Sequence, residues 1–184
     1  TLYPVRGIIS IGTAGSLSKQ LKSGNILATE KILNVNSDKV IEEFEYFSQA
    51  YDKLKCNLKE NGFKLINGTL ISVDNALMTA KDKKKYAEIF SAHGCDMETA
   101  IIAEFAGQNA IPLYCFRVIS DNFKQNIPPL ELILSDRGKS FSKKLKKILL
   151  LFNPVILCRF LLFRHTYKKS LKKIKLLIQA IDKI

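Results

Sequence analysis

The stretch Ile111 to Ile119 constrains the fold more than any other: it is apolar apart from Arg117 and runs directly into Ser120-Asp121. A run with no polar alternation cannot turn a face to water, which predicts a central strand buried on both sides. Residues 5–11, rich in β-branched side chains, predict another short buried strand, cut off by a Gly12-Thr13-Ala14-Gly15 turn. Asn25 to Leu33 and residues 69–74 read as two more strands. Between them, Val40, Ile41, Phe44, Phe47, Tyr51, Leu54 and Leu58 recur at steps of three and four, which predicts one amphipathic helix over residues 38–61, stopped by Gly62. Thr79 caps a second helix that reaches Phe90, and Thr99 to Asn109 forms an Ala-rich third. Strands alternating with helices of this length specify an α/β fold, expected as three layers with a mostly parallel central sheet flanked by helices. In such sheets ligands sit at the carboxyl ends of the strands. Thr13-Ala14-Gly15, Met97-Glu98 and Ser120-Asp121 all fall at that edge.

Charge divides the chain. The formal net charge is +12 over 184 residues, but residues 1–136 carry 15 Lys+Arg against 16 Asp+Glu, whereas residues 137–184 carry 14 against 1. Residues 1–136 are therefore expected to form a near-neutral domain and residues 137–184 a basic amphipathic helical segment. In that segment Phe141, Leu145, Ile148, Leu149 and Phe152 share a helical face; Asn153-Pro154 then starts a new helix. In the new helix Tyr167, Leu171, Ile174, Ile178 and Ile181 step by four and three, with lysines on the flanks. Two readings of this tail stay open: a surface helix that makes peripheral contact with anionic lipid through residues 140–184, or the fold's own last helix packed on the sheet. A tail weighted toward lysines and aliphatics rather than arginines and aromatics argues against nucleic acid. Cys56, Cys95, Cys115 and Cys158 are far apart, with no paired spacing and no histidine cluster, so free thiols in a reducing, cytoplasmic setting and no metal are expected. The longest apolar run, Ile148 to Phe163, is interrupted by Asn153, Pro154 and Arg159. Thr1 opens almost directly onto an apolar stretch, and an amino-terminal truncation is expected.

Taken together and in order, four stretches resemble the purine and uridine phosphorylase superfamily, which includes the methylthioadenosine/S-adenosylhomocysteine nucleosidases. They are Ile9-Ser-Ile-Gly-Thr-Ala-Gly-Ser-Leu17, Leu21-Lys-Ser-Gly-Asn-Ile26, Asp96-Met-Glu-Thr-Ala-Ile-Ile-Ala103 and Arg117-Val-Ile-Ser-Asp121. Within it, Ser72-Val73-Asp74 ahead of a Lys-rich helix, and Ile127-Pro-Pro-Leu130 ahead of a basic tail, are similar to the hopanoid-associated phosphorylase group. The resemblance implies cleavage of the N-glycosidic bond of an adenosine-type nucleoside, by hydrolysis or phosphorolysis, with a lipid-linked adenosine such as adenosylhopane as substrate. The alternatives are a methylthioadenosine/S-adenosylhomocysteine-type activity and an idle membrane-surface binding module.

The same resemblance assigns roles. Glu98 would accept hydrogen bonds from the ribose hydroxyls, Met97 would pack on the sugar, and Asp121 beside Ser120 would pass a proton to the leaving base. Thr13 and Gly15 would hold phosphate or the attacking water, and Leu77 would line the base site where many nucleosidases place an aromatic. Ser10 stands where phosphorylases carry a phosphate-binding Arg, which tilts the reaction toward hydrolysis. No cofactor is implied beyond phosphate as a co-substrate, a homo-oligomer is expected, and relatives place further catalytic groups in a segment that would precede Thr1. Arg117 and Asp96 read as a paired core residue and a helix cap, and His93 as a surface loop residue.

Overall fold

A computed structural model describes residues 5–45, 48–129 and 153–183. The expected helical face from Phe141 to Phe152 and the segment around Leu130 lie outside those residues. Six strands are present among the described residues: β1 (Ile8–Ser16), β2 (Ile26–Asn36), β3 (Lys39–Glu45), β4 (Leu65–Val73), β5 (Gly94–Asp96) and β6 (Leu113–Asp121). Four helices accompany them: α1 (Gln49–Glu60), α2 (Ala80–Phe90), α3 (Thr99–Gln108) and α4 (Pro154–Ile181).

The α/β architecture stands, and its sheet closes on itself. The strand order is β3-β2-β4-β5-β1-β6, and β2 also pairs with β6, so β2, β4, β5, β1 and β6 close into a ring from which β3 extends. The parallel pairings β1–β6, β2–β4 and β4–β5 are matched by antiparallel ones, β1–β5, β2–β3 and β2–β6. The expected mostly parallel, layered sheet is thus mixed and barrel-like, because β1 and β2 each pair with neighbours running in both directions.

Strand β6 shows why its sequence lacks alternation. Leu113, Cys115 and Ile119 join the core shared with Ala103 and Ala106 of α3. Phe116 and Val118 join the opposite core, shared with Tyr51 and Leu58 of α1 and Leu177 of α4. Each face of the strand meets a helix, so every position is apolar or paired. Tyr51 anchors the second core; its hydroxyl donates toward the carbonyls of Cys115 (2.8 Å) and Thr29 (3.1 Å).

Two sequence expectations are corrected. The Gly12–Gly15 segment is strand and not turn: β1 runs through it to Ser16, with a bulge between Ala14 and Gly15, after which Gly15 pairs with both Asp121 of β6 and Cys95 of β5. The single helix over residues 38–61 is in fact strand β3 followed by α1, whose cap Ser48 accepts the Tyr51 N–H at 3.1 Å. The alternative won because Asn36-Ser37-Asp38 turns the chain, with Ser37 at φ 55, and β3 folds back on β2. Lys31 of β2 then bridges Glu43 and Glu45 across the pair.

Helix α2 starts at Thr79 as expected, with Thr79 Oγ1 accepting the Asp82 N–H at 3.1 Å. Helix α4 likewise starts at Asn153-Pro154, and Asn153 Oδ1 accepts the N–H of Val155 and of Ile156. It packs on β6 and β1. Its sheet-facing stripe is Thr166, Ser170, Ile174, Leu177 and Ile181, so Ile174 and Ile181 of the expected face pack on the core while Tyr167, Leu171 and Ile178 are 37–45% exposed. Ser170 is accommodated on that stripe because the sheet offers an acceptor there: its Oγ donates to the Ile119 carbonyl at 2.5 Å. Among the described residues no helix is long and apolar enough to cross a membrane.

All four cysteines are free, Cys56 and Cys158 exposed and Cys95 and Cys115 buried. Burial, with Asp121's charge adding to it, pushes the Cys95 thiol up to about 12, and burial raises Cys115 as well. A disulfide-exchange reagent at pH 8 is therefore expected to titrate Cys56 and Cys158 in the native protein, and the other two only after unfolding. Rapid native reaction of all the thiols would contradict this packing.

Candidate active site

The carboxyl ends of β1, β5 and β6 converge on a cavity of about 220 Å³. All seven residues singled out in the sequence line it: Thr13 and Gly15 at the end of β1, Leu77 before α2, Met97 and Glu98 between β5 and α3, and Ser120 and Asp121 at the end of β6.

Asp121 is 2% exposed. One carboxylate oxygen accepts from Ser120 Oγ at 2.7 Å, and the other from the ammonium of Lys83, a fully buried residue of α2. Lys83 also donates to the carbonyls of Gln125 (2.9 Å) and Asn122 (3.1 Å), so each of its three protons has an acceptor. That is the condition under which a lysine can be removed from water and keep its charge. The lack of a side chain at position 15 makes room for the carboxylate: a Cβ there would stand 3.2 Å from Asp121 Oδ2 and 3.1 Å from Cys95 Sγ.

Glu98 lies on the open side. It precedes α3 without capping it by its side chain, and its carboxylate accepts only the Met97 N–H, at 3.4 Å, among the described residues. Both residues are exposed at the mouth of the cavity. The Thr13 hydroxyl has no partner among the described residues. A carboxylate and a hydroxyl left free on a cavity wall suit a ligand with its own hydroxyls.

Behind them lies a saturated polar network. Arg117 Nε donates to Asp96 Oδ2 at 2.8 Å, and Nη2 donates to Thr99 Oγ1 (2.6 Å) and Ser10 Oγ (3.0 Å). Asp96 also accepts the Thr99 N–H and hydroxyl at the start of α3. Arg117 and Asp96 are thus a buried pair beside the Met97-Glu98 segment; the sequence implied a partner for Arg117 and a cap at Asp96, and the structure makes them each other's partner. His93 differs from expectation: it is half-buried, and its Nδ1 accepts the Thr69 N–H at 3.1 Å, because the bare backbone of Gly68 leaves space for its ring. Among the described residues no group of His, Cys, Asp and Glu could hold a metal ion.

Sequence reasoning missed Lys83, Phe163 and Tyr167. Lys83 falls on the same helical face as Tyr86, Ala87 and Phe90, the apolar stripe of α2; a lysine on such a stripe is a signal in itself. Phe163 and Tyr167, one turn apart on α4, stack with ring centroids 5.7 Å apart and form a wall of the cavity. They supply the aromatic surface missing around Leu77.

A cavity at the strand ends of a closed α/β sheet, with an exposed glutamate, a buried aspartate and a free threonine, places this chain among enzymes that cleave glycosyl bonds: it belongs to the phosphorylase superfamily, which matches over residues 1–152. Similar curated proteins include a 5′-methylthioadenosine/S-adenosylhomocysteine nucleosidase of Buchnera aphidicola, 30% identical over 159 residues and covering 75% of this chain and 68% of that protein. An aminodeoxyfutalosine nucleosidase of Campylobacter jejuni is 28% identical over 134 residues, covering 65% of this chain and 57% of that protein. In fold the chain is similar to a futalosine hydrolase of Helicobacter pylori, with a TM-score of 0.66 at 20% identity, covering 98% of this chain and 69% of that one. A Helicobacter pylori MTAN variant solved with 5′-methylthioadenosine in its active site gives a TM-score of 0.66 at 21% identity, covering 98% and 70%.

The Lys83–Asp121 pair is expected to dominate local stability. Lys83→Met should cost about 3–5 kcal/mol, because it leaves a buried carboxylate unpaired, and Lys83→Met with Asp121→Asn should recover much of that loss. Urea unfolding of the single and double variants measures it, and additive losses would contradict the pairing.

Proposed function

We propose that this protein releases the base from an adenosine-type nucleoside by hydrolysis of the N-glycosidic bond. The observation that carries this reading is the convergence of Glu98, Asp121 and Thr13 on one cavity, each with a partner set that suits a different part of such a substrate. As the C1′–N9 bond breaks, its electron pair goes to the base and cationic character grows on the sugar. Glu98, free at the mouth, accepts hydrogen bonds from the ribose hydroxyls and stabilises that cation. Met97, beside it, packs on the sugar. Asp121, held by Ser120 and the Lys83 ammonium, faces the base side; a proton from that ammonium, relayed through the carboxylate, goes to the base nitrogen, and the proton shed by the attacking water restores it. Thr13 and Gly15 position the water that bonds to C1′. Leu77, Phe163 and Tyr167 wall the apolar faces of the substrate.

Hydrolysis is favoured over phosphorolysis because, among the described residues, no cation in the cavity is free for phosphate. Lys83 is engaged by three acceptors, and Ser10 stands where phosphorylases carry an arginine and is itself bound to Arg117. The finer reading is a lipid-linked adenosine, such as adenosylhopane, presented at a membrane surface. Helix α4 supports it: Phe163 faces the cavity, and the neighbouring Leu161 and Leu162 are 51–53% exposed, a route for a long apolar 5′ substituent.

Adenine release measured with 5′-methylthioadenosine, S-adenosylhomocysteine and a lipid-linked adenosine, with and without phosphate, tests both levels. Asp121→Asn and Glu98→Gln are each expected to lower kcat/KM by about 100-fold or more. Unchanged rates in both variants would overturn the catalytic roles of these two carboxylates. Release that requires phosphate would overturn hydrolysis.

A further inference from the structure

A second concavity, of about 400 Å³, lies on the far side of the segments that build the active-site cavity. It is bounded by the loop between β1 and β2, by the residues that follow β6, and by α4. Its floor is apolar, from Leu21 and Phe123. Around that floor stand Lys19, Lys22, Lys124, Lys169 and His165, and no Asp or Glu among the described residues lines it. None of these lysines has a carboxylate within ion-pair reach among the described residues. Lysines such as Lys53 and Lys64 also lack an ion pair among the described residues; what sets these four apart is that they line one apolar hollow with no carboxylate among its described lining residues. Four unneutralised cations over one apolar hollow repel one another, and an anion seated among them removes that repulsion.

The frame of the hollow is rigid. The Ser23 N–H donates to Asn122 Oδ1 at 2.8 Å, Ser23 Oγ donates to the Thr166 carbonyl at 3.1 Å, and the Gly24 N–H donates to the Ile119 carbonyl at 2.9 Å. These bonds tie the three walls together. Lys169 is laid across Gly24, which has φ 85; a Cβ at that position would come within 2.9 Å of Lys169 Cε. The stem of Lys169 thus lies against the backbone of that wall, with the residue itself exposed.

We propose that this hollow is a binding site for the phosphate group of a small phosphate ester whose apolar part rests on Leu21 and Phe123. The lysine ammonium groups hold the phosphate as point charges, and their methylene stems complete the apolar floor. The site adjoins the active site without sharing its cavity. Asn122, which closes one wall here, offers its carbonyl to Lys83 on the other side, and Thr166 lies between Phe163 and Tyr167 on α4. A ligand here grips the two segments that carry Asp121 and the aromatic wall.

The chemistry fits a soluble phosphate ester or a phospholipid headgroup, and the experiment separates the two. The full chain is titrated calorimetrically with inorganic phosphate and glycerol 3-phosphate, and co-sedimented with phosphatidylcholine vesicles with and without phosphatidylglycerol. The variants are K22E/K169E, at exposed positions whose replacement spares the core, and K172E/K175E, on the same helix but off the hollow. K22E/K169E is expected to weaken binding of glycerol 3-phosphate or of anionic vesicles by about tenfold or more, with K172E/K175E close to the parent. Loss confined to soluble esters identifies a soluble ligand, and loss confined to vesicles identifies a headgroup. If neither probe binds, if K22E/K169E leaves binding intact, or if K172E/K175E weakens it equally, the proposal is overturned. Thr13→Val, which alters the active-site cavity alone, separates phosphate held there from phosphate held in the basic hollow.

Discussion

The pairing of β2 with β6 is the constraint on which the rest of this structure depends. Ile26 to Thr29 run antiparallel against Val118 to Cys115, and Asn25 extends the contact by accepting the Ile119 N–H. Without that pairing β6 would be an open edge, its buried N–H and C=O groups unpaired on one side. With it, the strand most apolar in sequence is hydrogen-bonded along both sides and covered on both faces. The closure also decides where chemistry is concentrated. It draws the loop before β2 and the residues after β6 together, so both concavities arise around the end of one strand.

The price of the cavity is a fully buried ion pair. Removing Lys83 and Asp121 from water costs several kcal/mol per ion before any attraction between them is counted. The fold meets that cost by giving every lysine proton an acceptor and by leaving position 15 without a side chain, so the carboxylate can sit against the backbone of β1. Because two of those acceptors are carbonyls of residues 122 and 125, the pair also fixes the chain as it leaves β6. The aspartate is thereby oriented from both ends of its environment, by its neighbour in sequence and by a helix brought in from elsewhere.

Residues whose role is local were legible in the sequence. Thr79 and Asn153 were readable as caps, because a cap needs only its own side chain and the next few N–H groups. Arg117 was readable as paired, since a charge in an apolar strand admits little else. The superfamily and the edge of the sheet on which Thr13, Glu98 and Asp121 fall were legible from motifs kept close in sequence. What was not legible depended on partners distant in the chain. The spacing in residues 38–61 satisfies a helix, yet β3 exists because β2 offers it a ladder and Lys31 offers its glutamates a cation. The glycines at 12 and 15 read as a turn, because their need for space comes from side chains a hundred residues away. Lys83 was hidden among neighbouring lysines, which composition treats alike and only tertiary structure separates.

Helix α4 adds a dimension of time. Every other wall of the cavity comes from residues no later than Ile127, while Phe163 and Tyr167 leave the ribosome after all of them. Until α4 has been made, the cavity beside Glu98 and Asp121 therefore lacks one of its walls. Helix α4 completes that flank through polar contacts such as Ser170 to Ile119 and through an apolar seam in which Leu177, Ile174 and Ile181 join the core behind β6. Enclosure of the site thus waits on the same helix that completes the core behind β6.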